Sequence, residues 1–454
     1  MRIARALFYI LLVAIPLSSR LFLASVIPGV HEYESLFVYL SDVLMLIYLL
    51  AVIFHSHQRS QDIHQKSFKL LFIPLYIFIF SALISTYIAP SYTLALYDLV
   101  RLLLLIGCAV SIPIMMRTSG VFRKTMVILA LLAVAQSCLG VYQFTKQADA
   151  GLRLLGEPRL VSYTGSASTI MAEGGRVLRS YGTFPHPNIL GAFLIIGLIS
   201  LCCLFLSHDG FLYHWNESRP LSWNFKRFMT SRHFFARIII AIGLFVVLLG
   251  LATTLSRGAW VGAACALITL LLVAAVRGYF RPSLRLLVVL AACGGLILYI
   301  LNPVISPRSY LAVGQPAVDY RLVYTSMASS ILHTHPFGVG IGNQVLYAVD
   351  SGTYRSFGLV HLWEWEPIHN LYLLILSEIG VLGLLSFIAF LGIVVWHALR
   401  HSGSLAEITV LAILIGILAV GLFDHYLWTI EPGRLMLWLA IGLALSYFKT
   451  EKSV

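Results

Sequence analysis

The chain has 454 residues, of which 59% are hydrophobic and 11% charged, and it carries a net charge of +12. Soluble globular chains hold roughly 25% charged residues, so this composition excludes a soluble enzyme, a disordered chain and a secreted disulfide scaffold. It fits a polytopic helical membrane protein, in which each span takes about 20 apolar residues.

Twelve apolar runs follow one another, at 6–28, 35–54, 70–89, 94–116, 125–145, 188–206, 236–255, 258–276, 285–301, 371–397, 404–424 and 435–448. The expected fold is therefore all-α, with about twelve transmembrane helices in one integral membrane domain, 1–454. A large external loop, 302–369, containing short helices, should separate the ninth span from the tenth. Arg2 and Arg5 precede the first apolar run, but no small-residue cleavage site follows it, so a retained first helix is expected. The six cysteines sit within apolar runs at no metal-ligand spacing and read as packing residues.

Cytoplasmic loops of membrane proteins are enriched in Lys and Arg. One set of alternate connections holds nineteen of the 31 basic residues, including the cluster Arg219, Lys226 and Arg227; the other holds eleven, and Arg101 lies inside a span. This bias accounts for the positive charge without nucleic acid. It places both termini in the cytoplasm and turns the long connections 146–187 and 302–369 outward.

The eleven outward cations include Lys146 and Arg308, for which solubility is a sufficient reason, and Arg153, Arg159, Arg176 and Arg179, which either serve solubility or meet an anionic acceptor. Arg257 is different. It stands in Leu255-Ser256-Arg257-Gly258-Ala259-Trp260, a turn with almost no loop between two spans. A guanidinium at that depth is either part of a site or snorkelling to the interface.

In chain order, the first constellation is Tyr181-Gly182-Thr183-Phe184-Pro185-His186-Pro187-Asn188, which opens the sixth span with a proline suited to a helix start. The second is Asp319-Tyr320-Arg321, followed by an amphipathic run and by His335-Pro336-Phe337-Gly338-Val339-Gly340-Ile341-Gly342-Asn343. Its alternating glycines permit close backbone approach or unusual φ/ψ. The third is Glu366-Pro367-Ile368-His369-Asn370-Leu371-Tyr372, which enters the tenth span with an imidazole able to exchange protons near neutral pH. Glu378, further along that span, would need a partner if buried. Asp98 and Arg101, three apart, are expected to pair on one helix face. Among the histidines, His55, His57 and His64 fall in a basic connection, and no HExxH-type spacing supports a metal.

Taken in this order, the segments from Tyr181 to Gly383 resemble the O-antigen ligase / Wzy-type polymerase superfamily of bacterial membrane glycosyltransferases. The residues before Tyr181 match only as an apolar helical array. The resemblance implies a metal-independent enzyme without a cofactor, in the cytoplasmic (inner) membrane with its active site on the external face. Such an enzyme moves a glycan from a polyprenyl (undecaprenyl) diphosphate carrier to a lipid, glycan or protein acceptor. The family's two arginines and one histidine fall on Arg257, Arg321 and His369, with His186, Asn188, Asn370 and Tyr372 as substrate-binding neighbours. Ligase and polymerase remain open. A lipid-linked oligosaccharide flippase or other polysaccharide transporter is the alternative of another class.

Overall fold

The computed structural model describes residues 1–27, 32–57, 66–118, 120–161, 167–172, 175–207, 232–309 and 316–447. His64, Arg219, Lys226 and Arg227 lie outside these residues. The described chain is mostly helical, with two small antiparallel hairpins. The elements run α1 (Arg2–Ala14), β1 (Arg20–Ser25), β2 (Ser35–Tyr39), α2 (Leu40–His57), α3 (Lys66–Tyr87), α4 (Tyr92–Met116) and α5 (Val121–Lys146). After these come β3 (Thr169–Ala172), β4 (Gly175–Leu178), α6 (Pro187–Ser207), α7 (Arg232–Thr253), α8 (Arg257–Ala274) and α9 (Phe280–Ser309). The last third holds α10 (Pro316–Thr334), α11 (Gln344–Asp350), α12 (Thr353–Ser356), α13 (Leu371–Arg400), α14 (Leu405–Gly421), α15 (Tyr426–Thr429) and α16 (Glu431–Leu445).

Six helical stretches among the described residues are long and apolar enough to cross a membrane, and three shorter apolar helices accompany them. One of the six, Arg257–Ser306, is broken at Gly278, whose φ of 95° separates α8 from α9. The segment 302–369 holds the end of α9 and, as expected, helices of its own, α10 to α12.

The first apolar run departs from expectation. Instead of one span at 6–28, the chain forms α1, a turn at Pro16 and then β1, paired antiparallel with β2. Pro16 has no N–H with which to continue the helix. Arg20 then finds polar partners that the middle of a span would not offer. It forms an ion pair with Glu32, donates to the Tyr39 hydroxyl at 3.0 Å and lies 4.0 Å over the Phe37 ring.

By its internal contacts the chain divides into two compact units. The first comprises Met1–Arg117, Tyr310–His401 and Ile417–Val454; the second comprises Thr118–Ser309 and Ser402–Gly416. In the second, α6 packs against α5, α7 and α8, and nearly all of its side chains are buried. A helix apolar on every face suits that central place. In the first, α3 lies along α13, and α4 along α16.

The helix α13 is itself broken, at Gly380 (φ 83°, ψ −177°). A break frees backbone groups, which at membrane depth must be satisfied by protein. The glycine-rich loop before α11 does this. The amides of Val339 and Gly340 donate to the carbonyls of Ser377 and Glu378 at 2.9 and 3.0 Å, and the amide of Val381 donates to the Pro336 carbonyl at 3.0 Å. Gly338 makes this approach possible: its φ is 84°, and a Cβ there would stand 2.3 Å from the Glu378 carbonyl oxygen. Gly338→Ala should therefore destabilise the fold by about 1–3 kcal/mol, read as a lowered Tm of the detergent-solubilised protein. An unchanged Tm would show that the loop does not hold the break.

Candidate functional site

In the second unit, the loop 179–188 meets the turn that precedes α8. Two buried glutamines of α5, one heptad apart, cradle the loop. Gln143 Oε1 accepts from the amides of Tyr181 and Gly182 at 3.0 and 2.8 Å, and its Nε2 donates to the Gly182 carbonyl at 2.8 Å. Gln136 Oε1 accepts from the Thr183 amide at 2.9 Å. Gly182 has φ 59°, and a Cβ there would fall 2.3 Å from that same oxygen.

Arg179 joins this loop to the α8 turn. It is buried, donating through Nε to the Thr254 carbonyl at 2.7 Å and through Nη2 to Asn188 Oδ1 at 2.6 Å. Solubility, one of its two expected roles, is not what this placement serves. Ser180 adds bonds from its amide to the Thr253 carbonyl (3.1 Å) and from its hydroxyl to that of Thr253 (2.8 Å). Within the held turn, Leu255 takes φ 51°, a left-handed conformation that costs a side-chain-bearing residue about 1–2 kcal/mol. Ser256 then caps α8, accepting from the Ala259 amide, and Arg257 is the first helical residue, half-buried. His186 Nδ1 accepts from the Asn188 amide at 3.2 Å. The structure thus gathers His186, Asn188 and the Arg257 turn around Arg179.

In the first unit, His369 stands at the head of α13. Asn370 is the N-cap: its Oδ1 accepts from the amides of Tyr372 and Leu373, and its Nδ2 donates to the Leu422 carbonyl. The Tyr372 hydroxyl donates to the Leu418 carbonyl at 3.0 Å. These two predicted substrate-binding residues hold the helix start in place.

The His369 ring is mostly buried and closely surrounded. Its Nδ1 lies 2.9 Å from the Pro367 carbonyl, which can only accept, so Nδ1 carries a proton. Nε2 lies 3.2 Å from Glu366 Oε2. Tyr324 of α10 stacks on the ring at 5.0 Å and 11°, and His425 meets it edge-on at 4.8 Å and 77°. Burial disfavours the imidazolium, but the Glu366 hydrogen bond and the charges of Asp424 and Glu366 outweigh it, so the His369 pKa lies above the ordinary histidine value despite opposition from Arg321. His425 goes the other way: burial and then the His369 charge push it down to about 4.

Arg321 lies one turn before Tyr324 on α10 and is close enough for its charge to act on His369. Its Nε is buried with no hydrogen-bond partner. A buried donor left unsatisfied costs about 1–3 kcal/mol, so an acceptor atom brought to it would be favoured. The structure therefore brings Arg321 and His369 together.

Below them lies a polar cleft of about 510 Å³, including its open mouth, that reaches from Glu378 and Arg434 to Pro367 and Thr429. Its charges are paired across helices. Arg101 forms ion pairs with Glu431 and with Asp42 (3.3 Å), Arg434 pairs with Asp98 at 2.6 Å, and Glu378 accepts from Trp428 Nε1 at 2.7 Å and from the Gly342 amide at 2.9 Å. The expected pair of Asp98 with Arg101 on one helix face gives way to these partners on other elements. The arginines and their carboxylates thereby gain the opposite charge that a buried ion requires, and Glu378 is held by two neutral donors.

Several residues of the site escaped sequence reasoning. Gln136 and Gln143 had a visible signal, two amides seven apart on an apolar helix. Tyr324 is near a recognised residue but carries no motif of its own, and Glu366 stands in the third constellation without a role assigned to it there. His425 lies in another stretch of sequence, and only tertiary contact shows its role. Among the described residues, Glu366, His369 and His425 form one cluster of possible metal-ligating atoms, all within 4.8 Å of one another.

Residues 242–388 match the family model described as O-antigen ligase, Wzy_C. The match takes in Arg257, Arg321 and His369 and supports the O-antigen ligase/polymerase superfamily. No curated protein matches the chain.

Gln143→Leu should strip the 181–183 loop of three hydrogen bonds. The expected result is faster amide exchange at Tyr181 and Gly182, measured by hydrogen–deuterium exchange; unchanged protection there would show that the glutamine is not the cradle.

Proposed function

We propose, for a membrane protein whose residues 242–388 match the O-antigen ligase family model, that it transfers a glycan from a polyprenyl diphosphate carrier to an acceptor hydroxyl. The observation that carries this reading is the juxtaposition of Arg321, with its buried unpartnered Nε, and His369, with its fixed tautomer, in one unit. The reaction takes place at the outer face of the cytoplasmic membrane, with both termini inside. The carrier is undecaprenyl diphosphate or a similar polyprenyl, and the acceptor is a lipid, a glycan or a protein.

The leaving group is a diphosphate, on which negative charge grows as the glycosidic bond breaks. Guanidinium groups keep their charge under any perturbation and bind phosphate oxygens bidentately. Preorganised charge at such a place is often the largest catalytic contribution. Arg257 and Arg321 serve this purpose. Neutral His369, with Nδ1 protonated, offers Nε2 to the acceptor proton as the hydroxyl attacks. A single in-line displacement inverts the anomeric centre, and no step calls for a metal or cofactor. His186 and Asn188, beside the Arg257 turn, are the donor-contact candidates of the second unit, and Asn370 and Tyr372 set the start of α13 next to the base in the first.

A transporter would share one feature, the broken helix α13, since discontinuous helices often line transport sites. It would move the lipid-linked glycan without releasing free polyprenyl diphosphate.

The test is reconstitution with a defined polyprenyl diphosphate glycan. His369→Ala should slow transfer by about 10²–10⁴-fold and leave donor binding intact; near-normal transfer would remove the base from the scheme. Arg257→Lys and Arg321→Lys keep the charge but lose the fork, and each should cut kcat strongly. Retention of anomeric configuration would oppose single displacement. A lengthened lipid-linked chain identifies a polymerase, and a labelled second acceptor a ligase. Because the His369 pKa is raised, its base form is lost as pH falls through that value. Transfer should therefore decline already above about pH 6.5, the ordinary histidine value, measured as kcat/KM against pH.

A further inference from the structure

Both ring nitrogens of His369 are engaged, and the engagement is unequal. Nδ1 is committed to the Pro367 carbonyl, so Nε2 is the nitrogen that can take a proton. Glu366 Oε2 stands 3.2 Å from it. The pair does not arise from helix periodicity, since Glu366 to His369 precede α13 in an irregular stretch. Long-range bonds shape that stretch. The Tyr354 hydroxyl donates to the Glu366 carbonyl at 2.8 Å, and the Ile368 amide donates to Gln344 Oε1 at 3.3 Å. The Tyr324 ring fixes the imidazole plane, and its own hydroxyl is tied to the Glu364 carbonyl at 2.6 Å. The side chain of Glu366 is 44% exposed against 20% for His369, so the carboxylate lies on the solvent side of the ring.

We propose that Glu366 is a positioning residue for the transfer reaction, stabilising the imidazolium formed when Nε2 of His369 takes the acceptor's proton and passing that proton to solvent. This rests on the reading of His369 as the base. In the neutral ring Nε2 carries no proton and makes no hydrogen bond to the carboxylate, so the exposed Glu366 side chain gives way to the arriving acceptor hydroxyl. The hydroxyl oxygen bonds to the anomeric carbon, its proton goes to Nε2, and the bond from that carbon to the phosphate oxygen breaks with its electron pair on the diphosphate. The imidazolium then gives the Nε2 proton to Glu366, and the carboxylic acid gives it to water, restoring both groups.

Other groups around the ring do not replace Glu366. Asp424 adds negative charge from the segment before α15, but it stands beside His425, 3.8 Å from that ring's Nε2. His425 is neutral at working pH, Tyr324 contributes a ring face, and Arg321 opposes the imidazolium.

The experiment uses the full-length protein in lipid, with Glu366→Gln, Glu366→Asp and His369→Ala compared on a defined polyprenyl diphosphate glycan. In Glu366→Gln the acid limb of the kcat/KM profile should move about one pH unit lower. Its plateau should fall about tenfold or more, with KM little changed. Glu366→Asp should restore part of both. The titration of the His369 ring, followed by NMR with ¹⁵N-histidine and assigned by its loss in His369→Ala, should move in the same direction and reports independently of activity. An acid limb and a ring titration left in place by Glu366→Gln would overturn the proposal, as would a loss confined to KM. If His369→Ala is inactive while Glu366→Gln behaves in that unmoved way, only this proposal fails. If His369→Ala transfers normally, the base reading fails first.

Discussion

The head of α13 depends on a break in that helix and on what fills it. A helix interrupted at Gly380 leaves carbonyls and amides that lipid cannot satisfy. The loop Pro336–Gly342 supplies the missing partners from its own backbone and adds the Gly342 amide to the carboxylate of Glu378. The same loop is anchored to α3, where the Ile341 amide donates to Ser85 Oγ at 2.9 Å. The loop is thereby a structural part of the helix. Glycine is required where the two backbones meet, because any side chain would enter a carbonyl oxygen.

Around that interlock the first unit buries an unusual number of charges, and each is closed by another element. Arg101 of α4 meets Glu431 of α16 and Asp42 of α2; Arg434 of α16 meets Asp98 of α4. Replacing such pairs with apolar residues is often neutral for stability, whereas breaking one is expensive. Their value here is registration: they fix α2, α4 and α16 against one another beneath the histidines. Arg321 stands apart from this closed network, with a buried donor still unsatisfied.

The histidines illustrate how environment divides one side-chain chemistry into two. His369 and His425 touch, yet the carboxylates favour the charged form of the first, while burial and the first histidine's charge keep the second neutral. A proton arriving at this cluster has a defined destination. The second unit uses a different device. There the Arg257 turn is strained at Leu255 and clamped by Arg179 and Ser180, so that the position of one guanidinium is maintained by backbone bonds from a distant loop.

Composition and apolar runs were enough to read a helical membrane protein, because a span must be apolar over its whole length wherever it packs. The motifs around Arg257, Arg321 and His369 were also legible, since polar residues in an apolar chain stand out. The hairpin at Arg20 was not, because its partners Glu32, Phe37 and Tyr39 had to be brought to it by folding. Nor was the pairing of Asp98, which local spacing assigned to Arg101 and α16 claimed instead. Local pattern thus determined which residues are costly to bury and where helices begin. Which opposite charge each one meets was decided only by contacts between residues far apart in the chain, whereas the nitrogen of His369 that can take a proton is set locally, by the Pro367 carbonyl two residues away. Electrostatic compensation acts through distance in space, and sequence order does not encode that distance.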